Sequence, residues 1–305
     1  MHYLFNKLVN RASNTVIFLF DYGILIQLST NNRYTMLLVA DIGNTSIAFG
    51  AYKDNLLMDS WRLSSNKDQS EDEYGVILSN LIKNKNFEGK FKAAIIASVV
   101  LPLTEVFKTA IEQYIGIPVI IASSRIKLNI GFEVDNPRKV GCDRIANACA
   151  AFKLYKPPIV VVDFGTATTF DIVSTEGNFI GGIIAPGIGI SAESLSSFTN
   201  LLPKIKLMES PAVIGKNTID NMLSGLVRGH AAMIDGLIVD IEQELKSPVT
   251  TVATGGYSKI ICDCLKRPFD YSNHHLTLEG LNLIYNLNKN QFLPTIPVNG
   301  DDALA

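Results

Sequence analysis

The sequence has no basic excess and no long hydrophobic run. Its 305 residues carry 27 Lys and Arg against 29 Asp and Glu, which gives a formal net charge of −2. Proteins that bind nucleic acid or anionic membranes favour a basic excess, so this composition predicts neither partner. The longest apolar run, residues 16–28, contains Asp21 and Gln27. Because a spanning helix needs about 20 apolar residues, we predict no membrane-spanning segment.

Cysteine is scarce, and its spacing fits no common metal motif. Cys142, Cys149, Cys262 and Cys264 include no pair with the two-residue gap of a zinc knuckle. Cys262 and Cys264 are one residue apart, which is a weak metal or redox signal. Free thiols in a reducing compartment are the simpler interpretation, so we predict a cytoplasmic protein.

The two common phosphate-binding motifs are also missing. The chain contains neither G-x-x-x-x-G-K-[ST] nor a G-x-G-x-x-G after a predicted strand. Any phosphate site must therefore be built from other residues.

The length predicts about two domains, flanked by segments of different character. Residues 1–35 show no consistent pattern, and a buried-strand sequence, MLLVADIGNT, begins only at Met36. Residues 291–305 contain two prolines and no periodicity, which is typical of a loose tail. We predict that residues 1–35 are an extension outside the fold and that the folded chain covers 36–290.

The chain repeats its own opening. VADIGNTS at 39–46 aligns with VVDFGTAT at 161–168, so that Asp41 matches Asp163 and Gly43 matches Gly165. Each copy is an apolar strand, a D-x-G-[NT] turn and a second strand. Strands mixed with helices follow both copies. The sequence therefore predicts an α/β protein with two duplicated domains, 36–150 and 151–290, that face a cleft.

The two D-x-G-[NT] turns have the composition of a phosphate site. Their backbone N–H groups and threonine hydroxyls can donate hydrogen bonds to phosphate oxygens, and each Asp can serve a cation. One such turn alone is more simply a hairpin. Two copies at matched positions favour a clamp on a polyphosphate.

Two further segments carry polar chemistry. GCDRIAN at 141–147 opens a predicted helix, where Asp143 and Arg144 form either a cap with a surface ion pair or a base beside an anion-binding guanidinium. TGG at 254–256 follows a predicted strand. Its glycines allow close approach of a flat ring such as adenine, or they form a plain strand-to-helix turn.

Taken in order, these motifs resemble those of type III pantothenate kinases, a bacterial family within the acetate/sugar kinase and actin superfamily. The resemblance covers about 36–290 and rests on six segments: DIGNT at 41–45, GCDRIAN at 141–147, DFGTATTFD at 163–171, GGIIAPG at 181–187, GKNT at 215–218 and TGG at 254–256. It implies two ribonuclease-H-like domains with ATP between them. It also implies ATP-dependent phosphorylation of pantothenate, the first step of coenzyme A synthesis, by a homodimer that needs K⁺ or NH₄⁺ besides Mg²⁺ with ATP.

The resemblance also implies a role for individual residues. Asp143 would be the general base, and Asp163 would hold the monovalent cation. Pantothenate would contact Gly141, Cys142, Asp143, Arg144 and Thr218, with Arg144 suited to its carboxylate. ATP would contact Thr166 and the first turn, which comprises Asp41, Ile42, Gly43, Asn44, Thr45, Ser46, Ile47 and Ala48.

One position departs from the family pattern. The family often has a substrate-contacting Tyr seven residues before the Gly of its G-x-D-R motif, and Val134 stands there in this chain. Phe132 lies two residues earlier and would share the same strand face. We expect Phe132 to compensate in part.

Two other functions fit the same scaffold. One is a non-catalytic accessory regulator, since some relatives of this family are described as transcription factors. The intact Asp143 and both D-x-G-[NT] turns argue against that alternative, as does the charge balance. The other is a kinase for a different small substrate, such as acetate or a sugar, which the intact G-x-D-R segment disfavours.

Overall fold

A computed structural model describes residues 6–10, 15–19, 25–29, 35–209 and 212–292, without side chains for the first three ranges and for 291–292. The rest of the predicted extension, and the predicted tail beyond 292, lie outside the described residues. Three short strands, β1 (Asn6–Asn10), β2 (Thr15–Leu19) and β3 (Leu25–Ser29), pair with one another in an antiparallel sheet. Among the described strands, none of these three pairs with either main sheet.

The N-terminal main sheet has five strands. They are β4 (Met36–Ile42), β5 (Ser46–Lys53), β6 (Leu56–Ser64), β7 (Phe91–Ser98) and β8 (Val119–Ile121). Their order is β6-β5-β4-β7-β8, with β4 antiparallel to β5 and parallel to β7. The central strands β4 and β7 are almost wholly buried, which is why their sequences are continuous apolar runs.

The C-terminal sheet repeats this arrangement and adds one short strand. It contains β9 (Gly131–Phe132), β10 (Ile159–Phe164), β11 (Ala167–Val173), β12 (Asn178–Pro186), β13 (Thr250–Thr254) and β14 (Tyr271–Ser272). The order is β14-β13-β10-β11-β12-β9. Without β9, strands β12-β11-β10-β13-β14 match β6-β5-β4-β7-β8 in both order and direction. The duplication predicted from the sequence is therefore present in the topology, as two ribonuclease-H-like units.

Eight α-helices cover the sheets of the described chain. They are α1 (Glu71–Asn84), α2 (Leu101–Ala110), α3 (Cys142–Leu154), α4 (Ile188–Ser197), α5 (Thr218–Leu223), α6 (Gly229–Leu245), α7 (Ser258–Cys262) and α8 (Leu276–Phe292). Single π-helical turns, Ile111–Ile115 and Ser224–Arg228, extend α2 and join α5 to α6.

Three hydrophobic cores result. The central core lies between the sheets, where Val39 of β4 and Val161 of β10 pack with Ile145 of α3 and Leu281 of α8. The second core packs the outer face of the N-terminal sheet against α1 and α2. The third core packs the outer face of the C-terminal sheet against α4, α6 and α7. Helix α3 contacts strands of both sheets, and α8 packs on α3 and on the N-terminal sheet.

The continuous helix Thr218–Leu245 is long and apolar enough to cross a membrane by length and composition. Its apolar face is used within the protein, since Val227, Ala231 and Ile234 are buried in the third core. We therefore interpret it as a core helix.

The predicted domain boundary at 150 falls inside α3. Strand β9 precedes that boundary yet pairs in parallel with β12 of the C-terminal sheet. A strand that precedes residue 150 thus belongs to the C-terminal sheet. The boundary between the two domains at 150 stays a prediction.

Candidate active site

A cavity of about 620 Å³ opens between the two sheets. Asp41 and Asp163, each the next-to-last residue of its strand, lie at matching places in its wall. Ligands of open α/β sheets bind beyond the carboxyl ends of the strands, and both carboxylates stand at such ends.

The two D-x-G-[NT] turns meet at the wall of this cavity, which Gly43, Asn44, Gly165 and Thr166 line and Thr45 does not. The Oγ1 atoms of Thr45 and Thr166 lie 2.9 Å apart. Each turn is closed by a backbone bond, from Gly43 N to the Ser46 carbonyl and from Gly165 N to the Ala167 carbonyl, both 3.1 Å. The opposition of the two turns, predicted from the repeat, is confirmed.

The residues predicted to bind ATP divide by the direction of their side chains. Asp41, Gly43, Asn44, Ser46, Ala48 and Thr166 line the cavity. Ile42 and Ile47 are fully buried in the second core. These two can therefore contribute only backbone groups to a ligand.

The G-x-D-R segment forms the first turn of α3, where Gly141, Asp143 and Arg144 line the same cavity and Cys142 does not. Gly141 precedes the helix, and a Cβ there would lie 2.5 Å from Asp143 Oδ1. The glycine is needed to give this carboxylate its space. Asp143 Oδ1 accepts a 2.8 Å hydrogen bond from Arg144 N, which leaves Oδ2 available.

Of the two alternatives for Arg144, the structure rules out the surface ion pair. Its Nε donates to Asp171 Oδ1 at 2.5 Å, and its Nη2 donates to the Phe170 carbonyl at 3.2 Å. Asp171 is fully buried, and burial raises the pKa of its carboxyl to about 7 against the opposing effect of Arg144. A Cβ at Gly182 would overlap the Arg144 guanidinium. Gly182 therefore leaves room for the internal bridge between Arg144 and Asp171. An arginine on the surface would not need a glycine at this position.

Cys142 joins α3 to the end of β7. Its Sγ accepts a 2.9 Å hydrogen bond from Ser98 N and donates to the Ser98 carbonyl at 3.1 Å. Burial raises the pKa of this thiol to about 12, so it is protonated at neutral pH. All four cysteines are free, as the sequence predicted.

Three carboxylates share the cavity, and each has a raised pKa. Burial is the main cause for Asp41, Asp143 and Asp163, and the pKa of Asp163 is about 6. For Asp41 and Asp163, repulsion from neighbouring carboxylates adds to the effect. The cavity therefore holds concentrated negative charge that a bound cation would relieve.

Asn147 and Thr277 hold Asp163 in place, and the motif analysis missed both. Asn147 Nδ2 donates to Asp163 Oδ2 at 3.1 Å, and Thr277 Oγ1 donates to Asn147 Oδ1 at 2.8 Å. Asn147 follows Asp143 by one helical turn, so the two share a face of α3. That spacing within GCDRIAN could have identified it.

The TGG turn borders the cavity on the C-terminal side. Gly255 has φ +90°, and a Cβ there would lie 2.5 Å from Asp163 Oδ1. The turn leads from β13 into α7, so it is a strand-to-helix turn that also lines the cleft.

Three residues singled out in the sequence lie away from this cavity. Thr218 lines a second, open pocket beside α4, rather than the cleft. Phe132 packs on Phe179 with ring centroids 6.2 Å apart, and Val134 packs against the central core. Neither Phe132 nor Val134 lines the cleft of the single chain, and the compensation expected from Phe132 stays a prediction.

No group of three or more His, Cys, Asp or Glu within the described residues is arranged to hold a metal ion. Mg²⁺ is commonly bound by one or two carboxylates together with substrate phosphates. This cavity suits a magnesium ion that enters with a nucleotide.

Sequence comparison decides the family. The type III pantothenate kinase family matches residues 37–240. The chain belongs to the type III pantothenate kinase family. Relatives of that name from Roseiflexus sp. (strain RS-1) and Anaeromyxobacter dehalogenans (strain 2CP-C) are 40% and 38% identical over 255 residues. These alignments cover 83% of this chain and 100% of each relative.

Solved structures agree on the fold. A Campylobacter jejuni protein described as a Baf family transcriptional activator is 21% identical, with a TM-score of 0.53 over 83% of this chain and 99% of that one. A ROK family glucokinase from Streptomyces griseus, with bound glucose and AMPPNP, is 13% identical, with a TM-score of 0.50 over 84% and 99%. At these identities the likeness is one of fold, and it supports neither the regulator nor the sugar kinase alternative.

As a member of this family, the chain is an enzyme that uses ATP with Mg²⁺ to phosphorylate pantothenate, the reaction that the resemblance implied. The predicted family, fold class and activity are confirmed.

Proposed function

We propose that the cleft transfers the γ-phosphoryl group of ATP to the primary hydroxyl of pantothenate, giving 4'-phosphopantothenate, with Asp143 as the general base. The observation that carries this proposal is the position of Asp143 on the cavity that both D-x-G-[NT] turns border. Phosphoryl transfer depends mainly on positioning and electrostatics, with one residue orienting and deprotonating the nucleophile. The Asp143 carboxylate takes the hydroxyl proton as the oxygen attacks phosphorus and ADP leaves.

The two turns bind the nucleotide phosphates in this scheme. Within the stretch Asp41 to Ala48, the backbone N–H groups of Asn44 and Thr45 lie outside the strands and can donate to phosphate oxygens. The hydroxyls of Thr45 and Thr166 add donors from both domains. The 2.9 Å separation of these hydroxyls allows one phosphate to meet both. Asp41 lines the same cavity, and its carboxylate would bind the Mg²⁺ that accompanies ATP.

Gly141, Asp143 and Arg144 contact pantothenate in this scheme, and Cys142 holds their helix turn against β7 through its hydrogen bonds to Ser98. Arg144 uses Nε and one Nη2 hydrogen for Asp171 and Phe170, and its other N–H groups remain for the substrate carboxylate. Asp171 thereby fixes the guanidinium while Asp143 reaches the hydroxyl at the other end of the substrate.

Asp163 is the proposed ligand of K⁺ or NH₄⁺. Its carboxylate is enclosed, Asn147 orients one oxygen, and nearby carboxylates and ATP phosphates supply negative charge. This hard oxygen donor suits such a cation. When bound, the cation supplies positive charge beside the phosphates without forming a covalent bond.

A homodimer is the proposed assembly, formed through the surface around Thr218. Phe198, Leu201 and Ile214 are 88%, 89% and 82% exposed there. Exposed apolar residues in such number mark an interaction surface, and a second copy would cover them. Sedimentation of the parent and of Leu201→Ser tests this assembly, because the variant should dissociate.

The proposed location is the cytoplasm, which the four free cysteines support.

Residues 36–290 form the proposed catalytic unit. The relatives align over their whole length with 255 residues of this chain, and β4 begins at Met36. A chain that begins at Met36 should stay soluble and keep the kcat of the full chain. Loss of soluble protein would show that residues 1–35 belong to the fold.

The direct test of the activity is a phosphate-transfer assay with ATP, Mg²⁺, K⁺ and pantothenate. Acetate and glucose serve as alternative acceptors. Transfer to pantothenate alone supports the proposal, and transfer to another acceptor at equal rate would overturn it.

A further inference from the structure

The cleft offers few positive charges for a polyphosphate. Of the described residues that line it, Arg62, Lys139 and Arg144 carry a fixed positive charge. Arg144 is held by Asp171, and Lys139 lies two residues before Gly141, at the pantothenate end. Arg62 is the remaining cation, and no sequence motif identified it.

Arg62 stands in line with Asp41 on the N-terminal sheet. On β6 it lies opposite Ala48 of β5, which lies opposite Asp41 of β4. Directly paired residues share a sheet face, and neighbouring strands are about 4.8 Å apart. The backbones of Arg62 and Asp41 are therefore separated by about 10 Å, which a long side chain can bridge. The adjacent Trp61 stacks on Phe49 and anchors β6 at this point.

The guanidinium of Arg62 reaches across the cleft. A Cβ on Gly256, in the TGG turn of the other domain, would lie 3.8 Å from Arg62 Nη1. The positive charge of Arg62 also lowers the pKa of both Asp41 and Asp163, so it lies within electrostatic range of both strand ends.

This guanidinium is available for a ligand. Arg62 is exposed, and its side chain has no hydrogen bond or ion pair within the part of the chain that the structure describes. An unpaired arginine between two phosphate turns presents a planar set of donors that matches phosphate oxygens in pairs.

We propose that Arg62 binds the polyphosphate of the nucleotide from the N-terminal side of the cleft, opposite the Gly255–Gly256 turn. The inference rests on the proposed function in one respect, that the nucleotide occupies this cavity. Arg62 would supply the fixed charge that a P-loop lysine supplies elsewhere, and it would join the two domains through the ligand. No proton leaves the guanidinium, because it stays charged throughout.

The test compares binding of AMP, ADP and a non-hydrolysable ATP analogue to the full chain by calorimetry, with Mg²⁺ present. The variants are Arg62→Gln, Arg62→Lys and the matched control Arg125→Gln, an exposed arginine outside the cavity. Arg62→Gln should weaken binding of ADP and the ATP analogue about 10- to 100-fold, the usual worth of hydrogen bonds to a charged group. AMP binding and the KM for pantothenate should change less than about threefold. The affinity of Arg62→Lys for ADP and the ATP analogue should lie between those of the parent and Arg62→Gln, since lysine keeps the charge and loses the paired donors.

The outcomes separate this inference from the activity itself. Equal affinity of Arg62→Gln and the parent for the ATP analogue would overturn the role of Arg62. An equal loss for AMP and ATP would overturn it too, because Arg62 would then act on the nucleoside or the cleft shape. A parent that binds no nucleotide, or transfers no phosphate to pantothenate, would refute the proposed function instead. If Arg62→Gln fails to fold, the same criteria apply to Arg62→Lys.

Discussion

The hydroxyl oxygens of Thr45 and Thr166 lie 2.9 Å apart, although 121 positions of sequence separate them. Each threonine lies in the turn that follows a central strand, and the two strands belong to different sheets. The contact therefore reports how closely the two domains approach where the phosphates are proposed to bind. It places a donor from each domain at one point of the cleft.

Removing either hydroxyl should weaken ATP binding. Thr45→Val and Thr166→Val keep the side-chain shape and remove one hydrogen-bonding group, so each should raise the KM for ATP about 2- to 10-fold. The double variant should lose less than the product of the single effects, because neighbouring groups that share a ligand are coupled. Steady-state kinetics on the three variants, with Thr175→Val as an exposed control, measures this coupling. An unchanged KM for ATP in all of them would show that the two hydroxyls bind only each other.

Two adjacent glycines should respond very differently to alanine. Gly255 has φ +90°, and a Cβ there would meet Asp163 Oδ1 and Phe164 N, each at 2.5 Å. A Cβ on Gly256 would meet only Arg62 Nη1 at 3.8 Å, an ordinary contact. We expect Gly255→Ala to lower the free energy of unfolding by about 2 kcal/mol or more, from backbone strain and overlap. Gly256→Ala should stay within about 0.5 kcal/mol of the parent in urea unfolding. Equal stability of the two variants would contradict this account of the turn.

The repeat made most of the architecture predictable. Matching Asp41 with Asp163 implied two similar units, because an apolar strand, a D-x-G turn and a second strand recur in the same order. Strand β9 was not predictable in this way. The strand consists of only Gly131 and Phe132. Its pairing with β12 depends on packing that no local sequence pattern encodes.

The activity should depend on the monovalent cation through Asp163. We expect kcat to be much lower in Na⁺ than in K⁺ or NH₄⁺, since the enclosed carboxylate and the ATP phosphates need a bound positive charge. Asp163→Asn should weaken this preference by removing the ligand charge, whereas the exposed Asp135→Asn should keep it. Rates in the three chloride salts at equal ionic strength provide the measurement. Equal rates of the parent in all three would refute the role of Asp163.

The pH profile should reflect the buried carboxylates. Burial raises the pKa of Asp143, and a general base must be ionised to accept a proton. Activity is therefore lost as the pH falls through this raised pKa, at a higher pH than for an ordinary aspartate of about 3.9. Because Asp41 and Asp163 also titrate with raised pKa values, the acid limb belongs to the three groups together. A kcat/KM for pantothenate that stays constant down to pH 4 would contradict this environment.

The site was predictable in its motifs and not in its internal partners. Asp143 and both turns stood out because their chemistry is local. The pairing of Arg144 with Asp171 was not visible, because it joins α3 to β11 across 27 positions. Arg62 lies on a strand without any phosphate motif, and only the folded cleft sets its guanidinium near Gly256. Long-range contacts of this kind depend on how the sheets pack.

The most direct test of the central claim is the kcat of Asp143→Asn with pantothenate at saturating ATP and Mg²⁺. Asparagine keeps the size and the hydrogen bonding of the side chain but cannot accept the proton. We predict that kcat falls about 10²- to 10⁴-fold, the usual worth of a general base, while calorimetry shows unchanged binding of the ATP analogue. Asp135→Asn, an exposed change in the preceding loop, should keep the parent kcat. A kcat for Asp143→Asn within a few-fold of the parent would contradict the account and leave Asp41 or Asp163 as the base.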